Sequence, residues 1–311
     1  MKAIMYHYVR PGDAGLPYFR HLHVEDFEQQ LHYFKAQFGF VSKDDFLQSI
    51  ETGAARDGVV LTFDDGFKDH YEQVLPRLSA LGLWGIFYIP TGVYPARRLL
   101  DVHRIHLLLG KFGGRAVLEA MQTMVTKDML SHAHIREFRT ETYKRQKNDD
   151  YVNLVKRTLN YYIGYEHRSG VVEELMLRFL PAEQALAEQF YMSEPEIRSL
   201  HQAGMIVGSH SVNHPVMSKL NGTEQETEIA DSFAFLEKVT GGLAIRTFCY
   251  PYGGYHTFTD ETERLLMAHG CRFSFNVEEK DLDSNFLKYR LQALPRYDCN
   301  LFPFGACRMG E

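Results

Sequence analysis

Apolar positions along this 311-residue chain follow two different periods, and the points where one replaces the other outline the fold. Residues 2–8 (KAIMYHY) form a short apolar run stopped by Arg10-Pro11-Gly12, which predicts a strand and then a turn. Val24, Phe27, Leu31, Phe34 and Phe38 recur at helical spacing, and Gly39 ends that helix. Ser42, with Asp45 three residues on, predicts the N-cap of a second helix ending near Gly53. Gly58 to Phe63 (GVVLTF) is apolar and β-branched without alternation, as a strand buried on both faces should be. A helix carrying Tyr71, Leu75, Leu78 and Leu81 follows, then the apolar run 83–89 closed by Pro90. Strand, helix, strand with a right-handed crossover predicts a parallel sheet whose ligand loops lie at the strand C-termini.

That alternation then breaks. From about Arg98 to Tyr191 only helical patterns occur: His103–Leu109, Ala116–Met124, Ile135–Gln146, Val152–Ile163, Val171–Phe179 and Ala182–Phe190. The stretch 98–190 therefore reads as a helical insertion or lid between two parts of one catalytic unit, 1–97 and 191–311. Afterwards the alternation resumes. Ser193 with Glu196 fits a capping box for a helix ending at Gly204, Met205–Ser209 is a strand, and Thr223 with Glu226 would cap a helix running to about Val239. Ile245–Tyr250, Arg272–Val277 and Leu291–Tyr297 are the remaining expected strands, with a helix at Asp260–His269.

Composition narrows the function classes. Hydrophobic residues make up 45% and charged residues 24%, the balance of a globular protein. A net charge of −6 offers no electrostatic footprint for nucleic acid or an anionic membrane. The longest apolar run, Leu81 to Ile89, is too short to span a bilayer, which takes about 20 residues. The N-terminus passes from Tyr6 straight into His7 and Arg10 without a leader pattern, so a cytoplasmic location is expected. Cys249, Cys271, Cys299 and Cys307 lack CxxC spacing and are expected as reduced thiols. Fifteen histidines beside a single Trp direct attention to metal binding and proton transfer.

Three expected strand ends carry polar constellations. Thr62-Phe63-Asp64-Asp65-Gly66 would project two carboxylates into the ligand crevice, one to bind a metal and the other free to take a proton. His210-Ser211-Val212-Asn213-His214 has histidines at i and i+4, divalent-metal spacing if the chain makes a helical turn there. Cys249-Tyr250-Pro251-Tyr252-Gly253-Gly254 is a turn with aromatic neighbours. One Asp and two His supply three protein ligands and leave a position for water, the layout of a catalytic zinc site.

In this order, TFDDG, HSxxH and a PYG turn resemble the NodB-type polysaccharide deacetylases of carbohydrate esterase family 4. The resemblance covers roughly 1–97 and 191–300. It implies an α/β fold, a distorted (β/α)7-type barrel, and hydrolysis of an N-acetyl group from an amino sugar. It further implies that Asp65, His210 and His214 hold a divalent metal, Zn2+ being expected, that Asp64 is the catalytic base, and that the Tyr252 amide is an oxyanion donor. Two positions depart from the family pattern. Where many members carry an arginine that orients the base, this chain has Cys249; Arg296, at an expected strand end, is the preferred substitute over Arg246. The usual C-terminal Leu–His motif is missing, and His7, in Tyr6-His7-Tyr8, is the candidate general acid. His103 and His106 could reach the site from the insertion, although packing is the plainer role. Tyr18, Phe19, Tyr94, Tyr255 and Phe258 could stack on sugars. The substrate is expected to be an N-acetylated sugar, nucleotide-, lipid- or oligosaccharide-linked, in surface-polysaccharide or O-antigen assembly. An amidase acting on a small non-sugar amide, or an inactive carbohydrate-binding module, would share the fold.

Overall fold

The apolar runs near residues 2 and 59 pair as neighbouring parallel strands, Lys2 opposite Val59 and Tyr6 opposite Phe63. They belong to a seven-stranded sheet in a computed structural model that describes residues 1–131, 135–143, 148–180 and 183–310. Its strands are β1 (Lys2–Tyr6), β2 (Val59–Phe63), β3 (Ile86–Ile89), β4 (Ile206–Ser209), β5 (Thr247–Cys249), β6 (Phe273–Phe275) and β7 (Tyr297–Asp298). The order is β6-β5-β4-β3-β2-β1-β7, and every pairing is parallel. Both faces of β2 are buried, which is why its sequence shows no alternation.

The last segment brings the two edges together. Leu294 bridges Phe275 in parallel, with Asn276 N donating to Leu294 O at 2.9 Å and Leu294 N to Ser274 O at 2.8 Å. A few residues on, Tyr297 and Asp298 pair with Ile4 and Met5 of β1. A chain that touches β6 and then β1 curls the sheet into a distorted (β/α) barrel. The expected strand 291–297 is thus mostly something else. Leu291–Ala293 is a 3₁₀ turn, and Pro295, with no N–H for a ladder, separates the Leu294 bridge from β7.

Helices α1 (Val24–Gln37), α2 (Lys43–Thr52) and α3 (Leu75–Ala80) follow the first strands. The predicted Ser42 cap forms, its side chain accepting from Asp45 N. Ahead of α3, His70–Val74 winds as a π-turn, which gives room to the Pro76 ring where an α-turn would press it on a carbonyl four residues back. Phe27, Leu31, Phe34 and Leu78 pack with Ile4, Tyr6, Leu61, Phe63 and Phe87 to form the layer between helices and sheet.

The chain divides into two compact units. The barrel unit comprises Met1–Pro11, His21–Ala96 and Glu188–Arg308; the other is built mainly from Arg97–Ala187, with Gly12–Arg20. In the helical unit α4 (Asp101–Gln122) is two helices meeting at Gly113, whose φ of 76° no helix accepts. It packs with α6 (Asp150–Arg157) and α7 (Tyr165–Phe179), while α5 spans Ile135–Glu141. Arg104 is fully buried there and is ion-paired with Asp101, Glu173 and Glu183. The predicted helix end at Gln146 and helix start at Ala182 lie outside the described residues.

The remaining helices are α8 (Glu183–Phe190), α9 (Glu194–Gln202), α10 (Gly222–Thr240), α11 (Asp260–Ala268) and α12 (Ser284–Tyr289). The Ser193–Glu196 capping box forms on α9. On α10 the expected Thr223–Glu226 cap is wrong. Asn221 and Glu224 form the box instead, because Asn221 is itself a strong N-cap and its box draws Thr223 into the first turn. No helix among the described residues is long and apolar enough to cross a membrane.

Candidate active site

Period-two geometry sends Thr62 and Asp64 to the same side at the end of β2. Asp64 N still donates to Tyr6 O at 2.9 Å, so the strand course persists through it. Asp65 then turns to φ 79° and Gly66 to φ 64°, which ends the strand. Two carboxylates adjacent in sequence thereby reach different partners.

Asp64 meets Arg296. The guanidinium donates from Nη1 to Asp64 Oδ1 and from Nη2 to Oδ2, both at 2.8 Å. Its other N–H groups go to Thr62 Oγ1 and Asn276 O, both at 3.0 Å, and to Cys249 Sγ at 2.9 Å. All five arginine donors are therefore used, and Cys249 in turn points its thiol at Asp64 Oδ2, 3.4 Å away. The rings of Tyr88 and Phe275 flank the guanidinium at 5.9 and 5.7 Å. Burial alone would raise the Asp64 pKa, but the charge and hydrogen bonds of Arg296 outweigh it and hold the group at about 2. Burial pushes the Cys249 thiol well up, so it is a thiol, not a thiolate. Arg246 lies elsewhere, bound to Glu237 and to the His269 carbonyl.

Asp65 meets the histidines. Its Oδ1 lies 3.5 Å from Nε2 of both His210 and His214, and all three side chains are buried. Residues 210–214 make no helical turn, contrary to the simplest reading of the i, i+4 spacing. Left-handed backbone at Ser211 (φ 64°) and His214 (φ 53°) instead folds the loop back until the two rings meet edge to face at 4.6 Å. His210 donates from Nδ1 to Cys249 O at 2.8 Å, which leaves the Nε2 lone pair facing Asp65. Burial lowers the His210 pKa against the pull of both aspartates, favouring the neutral, ligating form. Zinc bonds of about 2.0–2.2 Å in a tetrahedron put donor atoms about 3.3–3.6 Å apart, so the observed spacing and donor set fit such an ion.

Tyr252 (φ 62°) sets its ring edge against His214 at 4.9 Å. Of the seven non-glycine residues with positive φ among those described, Asp65, Ser211, His214 and Tyr252 belong to these three loops, a concentration of strain that marks functional sites. His7 is half-buried just past β1, near enough for its charge to lower the Asp64 pKa, and its carbonyl accepts from His70 Nε2 at 2.7 Å. His103 is fully buried within the helical unit, its ring 6.1 Å from that of His106. Phe19 and Phe258 are buried, Phe258 stacked on Tyr250, and Tyr94 stacks on Phe235, so these three serve packing; Tyr18 and Tyr255 are exposed. The contacts of Thr62, Asn276 and Cys249 with the arginine join positions far apart in the sequence. Only Thr62, two residues before Asp64 on one strand, left a readable signal.

Residues 175–273 match the family model described as polysaccharide deacetylase. That match spans about a third of the chain. The matched stretch includes His210, His214 and the Tyr250–Gly254 turn. The chain as a whole resembles several solved structures in its fold. Its fold is similar to that of the Streptococcus pyogenes deacetylase PplD in complex with acetate (TM-score 0.59, 16% identity, 96% of this chain and 91% of that one). IcaB from Ammonifex degensii is similar at TM-score 0.56 and 18% identity, over 95% of this chain and 90% of that one. The BpsB deacetylase domain from Bordetella bronchiseptica follows at 0.53 and 14%, over 96% and 94%. No curated protein sequence matches significantly.

Proposed function

We propose that this chain is a polysaccharide deacetylase, which removes the acetyl group from an N-acetylated amino sugar with a divalent metal, zinc in the first instance, held by Asp65, His210 and His214. The observation that carries the reading is the division of labour at residues 64 and 65: one carboxylate faces two imidazole nitrogens, its neighbour a buried arginine. When bound, the ion supplies Lewis acidity, which brings the pKa of a water toward about 7 and polarises a carbonyl.

The remaining chemistry belongs to the chain. Asp64 takes the proton from the attacking water. Asp64 Oδ2 also faces the Cys249 thiol, but Oδ1 has a second lone-pair site beyond its arginine contact, so the ion pair does not block that transfer. Arg296 keeps Asp64 ionised and fixes its plane. The Tyr252 N–H donates to the oxyanion as charge develops, an interaction gained in the transition state. His7 delivers a proton to the nitrogen, since an amine cannot leave as an anion.

We place the substrate in surface-polysaccharide or O-antigen assembly, in a reducing cytoplasm. Support for the compartment comes from Cys271 and Cys299, buried as free thiols, and from Cys249, packed as a thiol against the base. The helical stretch 98–190 is, on this reading, an addition to the barrel with its own core. The test is acetate release from a panel of N-acetylated mono- and oligosaccharides, before and after EDTA, with zinc restored. Zinc-dependent acetate release is expected. Turnover unaffected by EDTA would overturn the metal, and turnover confined to small non-sugar amides would overturn the substrate class.

A further inference from the structure

We propose that Glu228 on α10 is the positioning residue that holds the loop carrying His210 and His214 in its ligating shape, an inference that rests on the metal reading above. The loop makes two left-handed turns at non-glycine residues, each costing about 1–2 kcal/mol if nothing compensates. Its backbone amides show what does. His210 N still bonds the sheet, donating to Ile89 O at 3.0 Å. Ser211 N donates to Ser209 Oγ at 3.1 Å, and His214 N to Ser211 Oγ at 2.9 Å. Val212 N and Asn213 N both donate to Glu228 Oε2 at 2.8 Å, and Asn213 Nδ2 donates to Oε1 at 2.7 Å.

All four turn amides are thus met by side chains, two of them by one carboxylate that is almost wholly buried. The carbonyl side is clamped as well: Thr91 N donates to Ser211 O and Gly92 N to Val212 O, at 3.1 and 2.8 Å. Gly92 leaves no room for slack, because a Cβ there would lie 2.8 Å from Val212 O. The sheet side fixes where the loop starts, and Glu228 fixes how it turns. Glu228 in turn is anchored by the neighbouring buried residues Ile229, Ser232 and Phe233 of the same helix. Hydrogen bonds from amides to a charged acceptor are among the stronger kind, and the amides left behind by its removal would be buried and unmet. Groups that orient metal ligands from behind typically change affinity by about 10–100-fold when removed.

The experiment uses the full chain, stripped with EDTA and titrated with zinc against a chromophoric chelator, alongside acetate release at saturating zinc and thermal unfolding of the stripped protein. Glu228→Ala should bind zinc about 10-fold or more weakly. Glu228→Asp, milder for folding, withdraws the carboxylate by one methylene and should also weaken zinc. Glu228→Gln keeps an oxygen for both amides, and its NH2 can pair with Asn213 after an amide flip, so it should recover most of the affinity. If Ala and Asp variants merely melt earlier while binding zinc like wild type, with Asp65→Ala unable to bind, Glu228 has only a structural role and the inference fails. A wild type that takes up no zinc, or an Asp65→Ala variant that binds normally, overturns the metal reading and this inference with it.

Discussion

Replacing Arg296 with methionine would leave Asp64 buried without its counter-charge, and the consequences can be worked out. In the intact protein Asp64 titrates at about 2 instead of its ordinary 3.8. A carboxylate with a depressed folded pKa contributes stability that is present above the unfolded value and lost as pH falls through the folded one. Here the difference is worth about 2 kcal/mol at neutral pH. In Arg296→Met the burial acts unopposed, so the Asp64 pKa should rise above the unfolded value and the sign reverses. Above about pH 4 the variant should lose about 1.4 kcal/mol of stability per pH unit until its Asp64 ionises, while the wild type gains nothing further from this pair. Removing one member of a buried ion pair typically costs about 3–5 kcal/mol in all. Urea unfolding of both proteins in EDTA, at pH 4.5 and 7.5, measures this directly. The gap between them should be wider at 7.5. A gap of equal size at both pH values would refute the claim that the guanidinium acts by stabilising the Asp64 charge.

Two further expectations concern the histidines beside the base. His7→Ala should lose about 10²-fold in kcat on an N-acetyl amide yet stay within a few-fold of wild type on an aryl acetate ester, whose aryloxide leaves without a proton; equal losses on both would remove His7 as the proton donor. His70 is fully buried, and burial lowers its pKa to about 4 although its Nε2–H bonds the His7 carbonyl. Since the unfolded chain binds a proton there first, stability should fall by about 3 kcal/mol as pH drops from 6.5 to 4, and His70→Gln should flatten that slope in the same urea assay.

Local pattern carried much of the fold and less of the site. The uninterrupted apolar runs at 58–63 and 83–89 marked strands buried on both faces, and the polar residues directly after them marked the loops. Those signals are short-range, so they survive in a single sequence. The same cannot be said of barrel closure, which depends on Leu294 bridging Phe275 and Tyr297 pairing with Ile4. The contact of Arg296 with Asp64 spans 232 positions and exists only because the barrel closes. A preference for Arg296 over Arg246 could be argued from strand ends, whereas its full set of partners could not. The HxxxH spacing misled about local conformation: helix and left-handed loop can both bring two imidazoles together, and the choice was made by Glu228, on another element. The cap of α10 was misplaced for a simpler reason, two overlapping polar-x-x-acidic patterns of which Asn221–Glu224 won.

The account turns on Asp64 being the base and Asp65 a ligand, two neighbours with separate tasks. Asparagine at 64 keeps the size and much of the hydrogen bonding but cannot take a proton. The decisive measurement is the rate of acetate release by Asp64→Asn at saturating zinc, from a saccharide the wild type deacetylates. A fall of about 10²-fold or more is predicted; a rate equal to wild type would contradict the account at its centre.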